Sequence, residues 1–233
     1  MEIRTATPSD SQPICKLLLA SLTSESQWQY LFPDRHTHGP AHASRIHSAI
    51  AHCLNAPQDW TTIVAEETTS KSLVSVAVWS TTTSLEPGTK EAATTLYTDI
   101  LASFGPADGC NVSHVAAYLK AISAGTESHL AGYTPRVHLY VVATHPQHRG
   151  RGYGKALVAW GLKRAAEQKA VVSTLASAKG YVFFSGLGFK DVGLIEVRGG
   201  SAVGEAEGLA MKAMVNVAGR ERRLSVLRFL GLE

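Results

Sequence analysis

One short stretch rich in glycine and basic residues constrains the fold of this chain most. It lies within HPQHRGRGYGKALVAWGLKRAA at residues 145–166, where glycine recurs at every second position: Gly150, Gly152 and Gly154. The alternation of residues 136–144, RVHLYVVAT, predicts a β-strand, and the apolar spacing over 153–168 predicts a helix. Glycine allows a tight turn and close approach to a ligand, and a helix N-terminus offers unpaired N–H donors. The stretch therefore predicts a strand–turn–helix unit that binds an anion such as phosphate.

The spacing of these glycines excludes two common phosphate-binding motifs. A Walker A loop would need a glycine at position 149, where this chain has Arg149. It would also need a serine or threonine at position 156, where this chain has Ala156. A dinucleotide-binding turn, G-x-G-x-x-G, would need its third glycine at Lys155. The pattern that does fit is R-x-x-G-x-G, formed by Arg149, Gly152 and Gly154.

This pattern resembles the acetyl-CoA-binding motif of the GCN5-related N-acetyltransferases, the GNAT superfamily. The run VVATHPQHRGRGYGKAL at 141–157 is similar to the family's strand-to-helix segment, in which a proline precedes the glycine turn. The run GYVFFSGLGFKDVG at 180–193 resembles a later block, in which a short helix ends in Gly-Phe before the next strand. The resemblance covers about residues 136–193 and implies a GNAT-like fold.

The order of predicted elements agrees with that fold. It indicates one α/β domain over residues 1–233, with a mixed central sheet and helices on both faces. Residues 81–135 form a predicted helical insertion between two strands, with helices near 89–104 and 111–124. The basic, amphipathic tail at 220–233 is predicted to dock on the domain rather than to bind a membrane.

The resemblance also implies how acetyl-CoA would bind. Its pyrophosphate would lie on the backbone from Arg149 to Lys155, and its pantetheine arm would pair with the strand at Val142 and Thr144. Ser177 occupies the place of a polar residue that often contacts the pantetheine. The residues expected to bind the co-substrate are Val142, Thr144, Arg149, Gly150, Arg151, Gly152, Tyr153, Gly154, Lys155, Ser177 and Phe184.

Transfer of an acetyl group to an amine needs a base, because the amine must be neutral to attack. His138 is the first candidate, since imidazole titrates near neutral pH and the alternation predicts one strand face for His138, Tyr140 and Val142. The run HLYVVATH resembles the arylalkylamine branch of the family, where a histidine here helps to deprotonate the amine through water. That branch also has histidine in place of Tyr140, and a merely packed His138 is the alternative. Glu66 and Glu67 are other candidate bases.

The general acid departs from the family pattern. Many members have a tyrosine four residues before the glycine of Gly-Phe, and this chain has Phe184 there. Tyr181 or a water molecule could replace it. Alternatively, no acid is needed, because a CoA thiol with a pKa of about 8.5 leaves tolerably as the thiolate. In a third reading, the protein uses the fold for something other than acetyl transfer.

The resemblance implies an N-acetyltransferase that acts on a primary amine of a small molecule. Direct attack is expected, because the motif region contains no cysteine that could form an acyl-enzyme. Alternatives are a GNAT-fold protein with altered or lost chemistry and a non-enzymatic module that binds acyl-CoA and a partner. The aromatic residues Trp28, Tyr30, Phe32 and Trp79 suggest an apolar or aromatic acceptor.

Composition excludes several other classes. The net charge of +3 is too small for a nucleic-acid binder, and no apolar run reaches the ~18 residues that span a bilayer. No signal peptide is recognisable. Cys15, Cys53 and Cys110 form no CxxC pair, and the five histidines from His36 to His52 indicate a solvated face rather than a metal site. We therefore expect a cytoplasmic monomer or homodimer without a metal.

Overall fold

The computed structural model describes residues 1–80, 101, 104–198 and 208–217. Within these ranges the chain forms one seven-stranded sheet in the order β1-β2-β3-β4-β5-β7-β6. The strands are β1 (Glu2–Thr5), β2 (Trp60–Glu66), β3 (Leu73–Ser80), β4 (Arg136–Thr144), β5 (Val171–Ala176), β6 (Lys190–Val197) and β7 (Leu209–Asn216). Neighbouring strands are antiparallel except β4 and β5, which run parallel.

Helices cover both faces of this sheet. They are α1 (Ser11–Leu22), α2 (Ser26–Leu31), α3 (Gly39–Asn55), α4 (Val112–Leu130), α5 (Tyr153–Glu167) and α6 (Ala178–Ser185). Short 3-10 turns lie at Pro8–Asp10, Pro106–Asp108 and Pro146–His148. Helices α1 to α4 enclose one apolar core, and α5 and α6 enclose the other. The predicted α/β class with helices on both faces is confirmed.

Local sequence patterns predict the central elements well. Strand β4 has the predicted bounds, and α5 ends one residue before the predicted limit. Helix α4 is the second helix of the predicted insertion and lies between β3 and β4 in the chain. Most of the first, near 89–104, and the tail at 220–233 lie outside the described residues. The short helix α2 is not predicted, because six residues give too little periodicity.

A bulge in β4 overturns the predicted faces of that strand. Leu139 pairs with Trp79 and Val141 pairs with Val78, so Tyr140 is an extra residue between two consecutive partners. The inserted residue reverses the alternation after it. Val141 consequently packs on the core beneath α1 to α4, whereas Val142 packs on the opposite core. The prediction that Val142 shares the face of His138 is wrong for this reason.

The parallel pairing of β4 and β5 ends where the bulge begins. The last paired residues are Leu139 and Thr174, although β4 continues to Thr144. Thr174 Oγ1 donates a hydrogen bond of 2.9 Å to the carbonyl oxygen of Leu139. Beyond this point the two strands separate, and the sheet has an opening at its centre.

Candidate active site

The opening between β4 and β5 leads into a cavity of about 740 Å³. This volume lies within the range of small-molecule sites. The cavity wall includes the end of β4, the glycine turn at residues 149–154 apart from Arg151, the start of α6, and parts of α1 to α4. One continuous space therefore connects the predicted anion site with the helices on the far side of the sheet.

The glycine turn has the backbone geometry that the sequence implies. Gly150 and Gly152 have φ angles of 78° and 84°, which residues with a side chain rarely adopt. A Cβ atom on Gly154 would lie 3.3 Å from Thr144 Oγ1, so this position is closely packed against β4. Helix α5 begins at Tyr153, and its first N–H groups have no intrahelical acceptor. The turn thus presents backbone donors at the cavity.

The three basic residues of this turn have different surroundings. Arg149 donates from Nε to the carbonyl of Thr144 at 3.3 Å and from Nη2 to the carbonyl of Ser21 at 3.5 Å. It lines the cavity and also fastens the turn to β4 and α1. Arg151 Nη1 lies 3.3 Å from Glu67 Oε1, and Arg151 is not in the cavity wall. Lys155 is exposed and lines the cavity.

The residues expected beside the pantetheine arm come together along the opening. Val142 and Thr144 line the cavity from β4, and Ser177 lines it from the N-terminus of α6. Ser177 Oγ accepts a 3.1 Å hydrogen bond from the backbone N–H of Gly180. Tyr153, from the first turn of α5, and Phe184, from α6, also belong to the wall.

His138 lines the cavity but is strongly buried, with 7% of its surface exposed. Its Nδ1 atom is hydrogen-bonded to Ser173 Oγ at 2.8 Å, and its ring lies 4.4 Å from that of Tyr140. Burial, together with the nearby charge of Arg136, lowers the pKa of His138 to about 3. The imidazole is therefore neutral and weakly basic, which corrects the expectation of a base that titrates near neutral pH.

Neither Glu66 nor Tyr181 lies in the cavity wall. Glu66 accepts a 2.8 Å hydrogen bond from Arg4 Nε, and Arg4 also binds Asp10, so this carboxylate belongs to an ion-pair cluster at the edge of the sheet. Tyr181 is 38% exposed on α6. Phe184, one helical turn on, lines the cavity with its ring packed 5.1 Å from that of Phe189.

Glu25 is a cavity residue that sequence reasoning missed. It precedes α2, its side chain is 26% exposed, and it lines the cavity. Ser177 Oγ donates to Glu25 Oε2 at 3.4 Å, and Lys179 Nζ lies 3.9 Å from Oε1. The contact joins residues 152 positions apart, so no local spacing could have revealed it. A carboxylate thus stands beside Ser177, the residue expected to contact the pantetheine arm of the co-substrate.

Beyond Glu25 the cavity becomes an apolar chamber. Its wall consists of Trp28, Leu31, Ile46, Ile50, Cys53, Trp60, Phe104, Tyr118 and Ile122. Burial raises the pKa of the Cys53 thiol to about 12, so this cysteine is not a thiolate nucleophile. His42 lies behind the chamber, 2% exposed, with its Nε2 atom 2.8 Å from the carbonyl of Asp108. The expectation of a solvated histidine face is wrong for His42.

Two further findings concern the described ranges alone. There, no helix is both long and apolar enough to cross a bilayer. Nor do the described residues contain a group of three histidine, cysteine, aspartate or glutamate side chains placed to hold a metal ion.

A comparison with protein-family models matches the central part of the chain. The model of the acetyltransferase (GNAT) domain matches residues 112–191, from the start of α4 into β6. This range contains the bulged strand, the glycine turn and α6. A comparison with curated protein sequences finds no match.

Solved structures with the same fold cover nearly the whole chain. Polyamine N-acetyltransferase of Drosophila melanogaster aligns with a TM-score of 0.64 at 14% identity over 92% of this chain and 98% of its own. A mosquito protein named arylalkylamine N-acetyltransferase like 5b gives a TM-score of 0.59, also at 14% identity, over 92% of this chain and 98% of its own. A Corynebacterium glutamicum protein, described as histone acetyltransferase HPA2 and related acetyltransferase, gives a TM-score of 0.55 at 19% identity. The alignment covers 91% of this chain and 93% of that protein. At these identities the alignments show a shared fold.

Proposed function

We propose that the chain is a GNAT acetyltransferase, since residues 112–191 match that domain, and that it transfers an acetyl group from acetyl-CoA to a primary amine of a small molecule. The observation that carries the proposal is one continuous cavity. At one end it has the backbone donors of the glycine turn, and in its middle it has the carboxylate of Glu25. Such a cavity can hold the donor and the acceptor at the same time.

The residues of the opening fit acetyl-CoA. The pyrophosphate would bind the N–H groups at the start of α5. Gly150 and Gly152, which have positive φ angles, carry no side chain that would block access to the backbone there. Lys155 would add a positive charge, and Arg149 would add another while it holds the turn in place. The pantetheine amides would pair with the free edge of β4 at Val142 and Thr144, where β5 has separated from it.

Glu25 is the base that this geometry favours. A carboxylate attracts the substrate ammonium, holds its nitrogen near Ser177, and accepts the proton that must leave before attack. The neutral nitrogen then forms a bond to the thioester carbonyl carbon, the bond from that carbon to sulfur breaks, and the second nitrogen-bound proton passes to water as the amide forms. His138 is less suited to this step, because burial lowers the pKa of His138 and disfavours the charged imidazolium that proton uptake would create. It remains a cavity residue that can orient the acceptor through Tyr140.

The leaving group departs as a thiolate. Phe184 stands at the position expected for the acid, is 5% exposed, and has no proton to give. A CoA thiol resembles that of cysteine, with a pKa of about 8.5, so the thiolate is a tolerable leaving group near neutral pH. Loss of the acid is expected to cost about 10²–10⁴-fold in rate at most.

A small amine is favoured over a protein substrate by the shape of the cavity. The chamber is enclosed by α1 to α4. The second candidate function is acyl-CoA binding without transfer, and the buried Phe184 is the observation that favours it. The cytoplasmic location and the monomeric or dimeric state remain predictions.

A titration with acetyl-CoA, followed by an assay of thiol release, tests the proposal. We expect acetyl-CoA and CoA to bind, and ATP and NADH to bind at least about 100-fold more weakly. Arg149→Glu should abolish binding, and Lys163→Glu, on the exposed side of α5, is the matched control. Thiol release above the blank with some primary amines would support transfer. Tight binding without release from any amine would favour the second function, and no binding by the folded protein would contradict both.

A further inference from the structure

We propose that the acceptor is a monoamine with a flat apolar body, and that the site discriminates against diamines and polyamines. The ammonium group would lie at Glu25 and the body in the apolar chamber. This inference rests on the proposed function and names the substrate class that the same site would select. It is carried by the distribution of charge along the cavity and by the side chains of the chamber.

The cavity offers one place for a positively charged group. Among the described residues in its wall, Glu25 is the only carboxylate, and it lies at the junction of the opening and the chamber. The wall on the side of the glycine turn carries the positive charges of Arg149, Lys155 and Lys179. A second ammonium that pointed toward the opening would meet these cations.

A second ammonium that pointed into the chamber would meet apolar side chains. Ile46, Ile50 and Ile122 are 7%, 5% and 8% exposed, and Phe104 is 6% exposed. Burial of a charged group among such side chains is unfavourable unless it is paired and hydrogen-bonded. Burial of an apolar body in the same place is favourable, because it removes apolar surface from water.

Two aromatic pairs in the chamber wall favour a flat body. Trp28 and Phe104 meet edge to face at 6.3 Å, and Phe32 supports Trp28 at 4.3 Å from behind. Trp60 and Tyr140 meet edge to face at 5.1 Å, next to the bulge of β4. Aromatic rings present large, rigid faces that stack on planar groups. The chamber therefore selects for the shape of the body as well as for its polarity.

A matched pair of amines tests the charge argument. Hexylamine and hexamethylenediamine have the same chain and differ by one ammonium group. With acetyl-CoA in excess and thiol release as the readout, we expect kcat/KM for hexylamine to be higher by at least about tenfold. Phenethylamine should exceed hexylamine by several-fold. A diamine that matches or exceeds hexylamine would overturn the inference and leave the proposed function intact.

A new carboxylate in the chamber should move this preference. Thr126 lies in the cavity wall on α4, one helical turn after Ile122 of the chamber, and is half-buried, so it tolerates a polar substitution. Thr126→Asp should lower the ratio of kcat/KM for hexylamine to kcat/KM for hexamethylenediamine by at least about fivefold. The change should come mainly from a lower KM for the diamine. Thr126→Asn is the matched control and should retain the original ratio. An equal ratio in the two variants would contradict placement of the amine's body in the chamber.

The inference can be separated from the proposed function by a binding measurement. Trp28 and Trp60 line the chamber, so amine binding should quench their indole fluorescence. If acetyl-CoA binds but no amine releases thiol, the proposed transfer fails. Stronger quenching by phenethylamine than by hexamethylenediamine would then still support the selectivity, and equal quenching would overturn it.

Discussion

The two ends of the cavity are built in different ways. The glycine-turn end comes from consecutive residues, those of β4, the turn and the start of α5, and it acts through backbone groups. The apolar chamber comes from α1 to α4 together with β2 and β3, and it acts through side chains that are distant in the chain. An end made of local backbone geometry leaves a readable motif, whereas an end made of tertiary packing does not.

The same contrast applies to what each end can recognise. Backbone N–H groups at a helix N-terminus bind any phosphate of suitable shape, which suits a donor shared by a large family. Side chains such as Trp28, Ile50 and Phe104 can differ while the fold stays the same. We therefore expect substitutions in the turn to impair donor binding, and those around Glu25 and the chamber to alter rate and selectivity.

The largest expected effect follows substitution at the junction of the two ends. Glu25→Gln keeps the size of the side chain and removes its negative charge, so kcat should fall by about 10³-fold while the affinity for acetyl-CoA changes little. Steady-state thiol release and a calorimetric titration measure the two quantities. Glu66→Gln is the matched control, because Glu66 is paired with Arg4 outside the cavity. A parallel loss of acetyl-CoA affinity would place Glu25 in the donor site instead.

The second effect belongs to the turn alone. Gly152 has a φ of 84° at the N-cap of α5, and a left-handed conformation costs a non-glycine residue about 1–2 kcal/mol. Gly152→Val also adds side-chain atoms beside the phosphate donors, so the Kd for acetyl-CoA should rise by about 100-fold. Gly132→Val, at an exposed glycine with open space around it, is the control. Equal Kd values in the two variants would contradict the assignment of the turn.

How far each end could be predicted follows from this contrast. Alternation and glycine spacing predict β4, the turn and α5, because these elements depend on nearest neighbours in the chain. They do not predict the bulge at Tyr140, whose extra residue becomes visible only against the partner strand β3. Nor do they predict Glu25, since its contact with Ser177 requires α2 to fold onto the N-terminus of α6.

The third effect concerns the pH dependence of stability. An unfolded histidine binds a proton below about pH 6.5, whereas folded His138 does so only near its pKa of about 3. The unfolded state therefore binds more protons between these values, and the free energy of unfolding falls as the pH is lowered through this window. The free energy of unfolding should differ between about pH 7 and about pH 5, and His138→Gln should reduce this difference by about 2 kcal/mol.

Urea unfolding of the wild type and the variant at the two pH values measures this contribution. His52→Gln is the matched control, because His52 is exposed on α3 and should leave the slope unchanged. Parallel pH dependence in the wild type and His138→Gln would show that His138 titrates normally in the folded protein. It would then regain its place as a candidate base beside Glu25.

The smallest expected effect is at Tyr181, the residue that sequence reasoning offered as a replacement acid. Tyr181 is 38% exposed and lies outside the cavity wall, so Tyr181→Phe should change kcat by less than about twofold, within the effect of an ordinary surface substitution. Thiol-release rates across about pH 6 to 9 provide the sharper test. A reaction that needs a general acid slows at high pH, because the acid loses its proton there. If this fall in rate is present in the wild type and absent in Tyr181→Phe, the tyrosine protonates the leaving thiolate. An unchanged profile would agree with a reaction in which Phe184 borders a leaving group that departs without a proton.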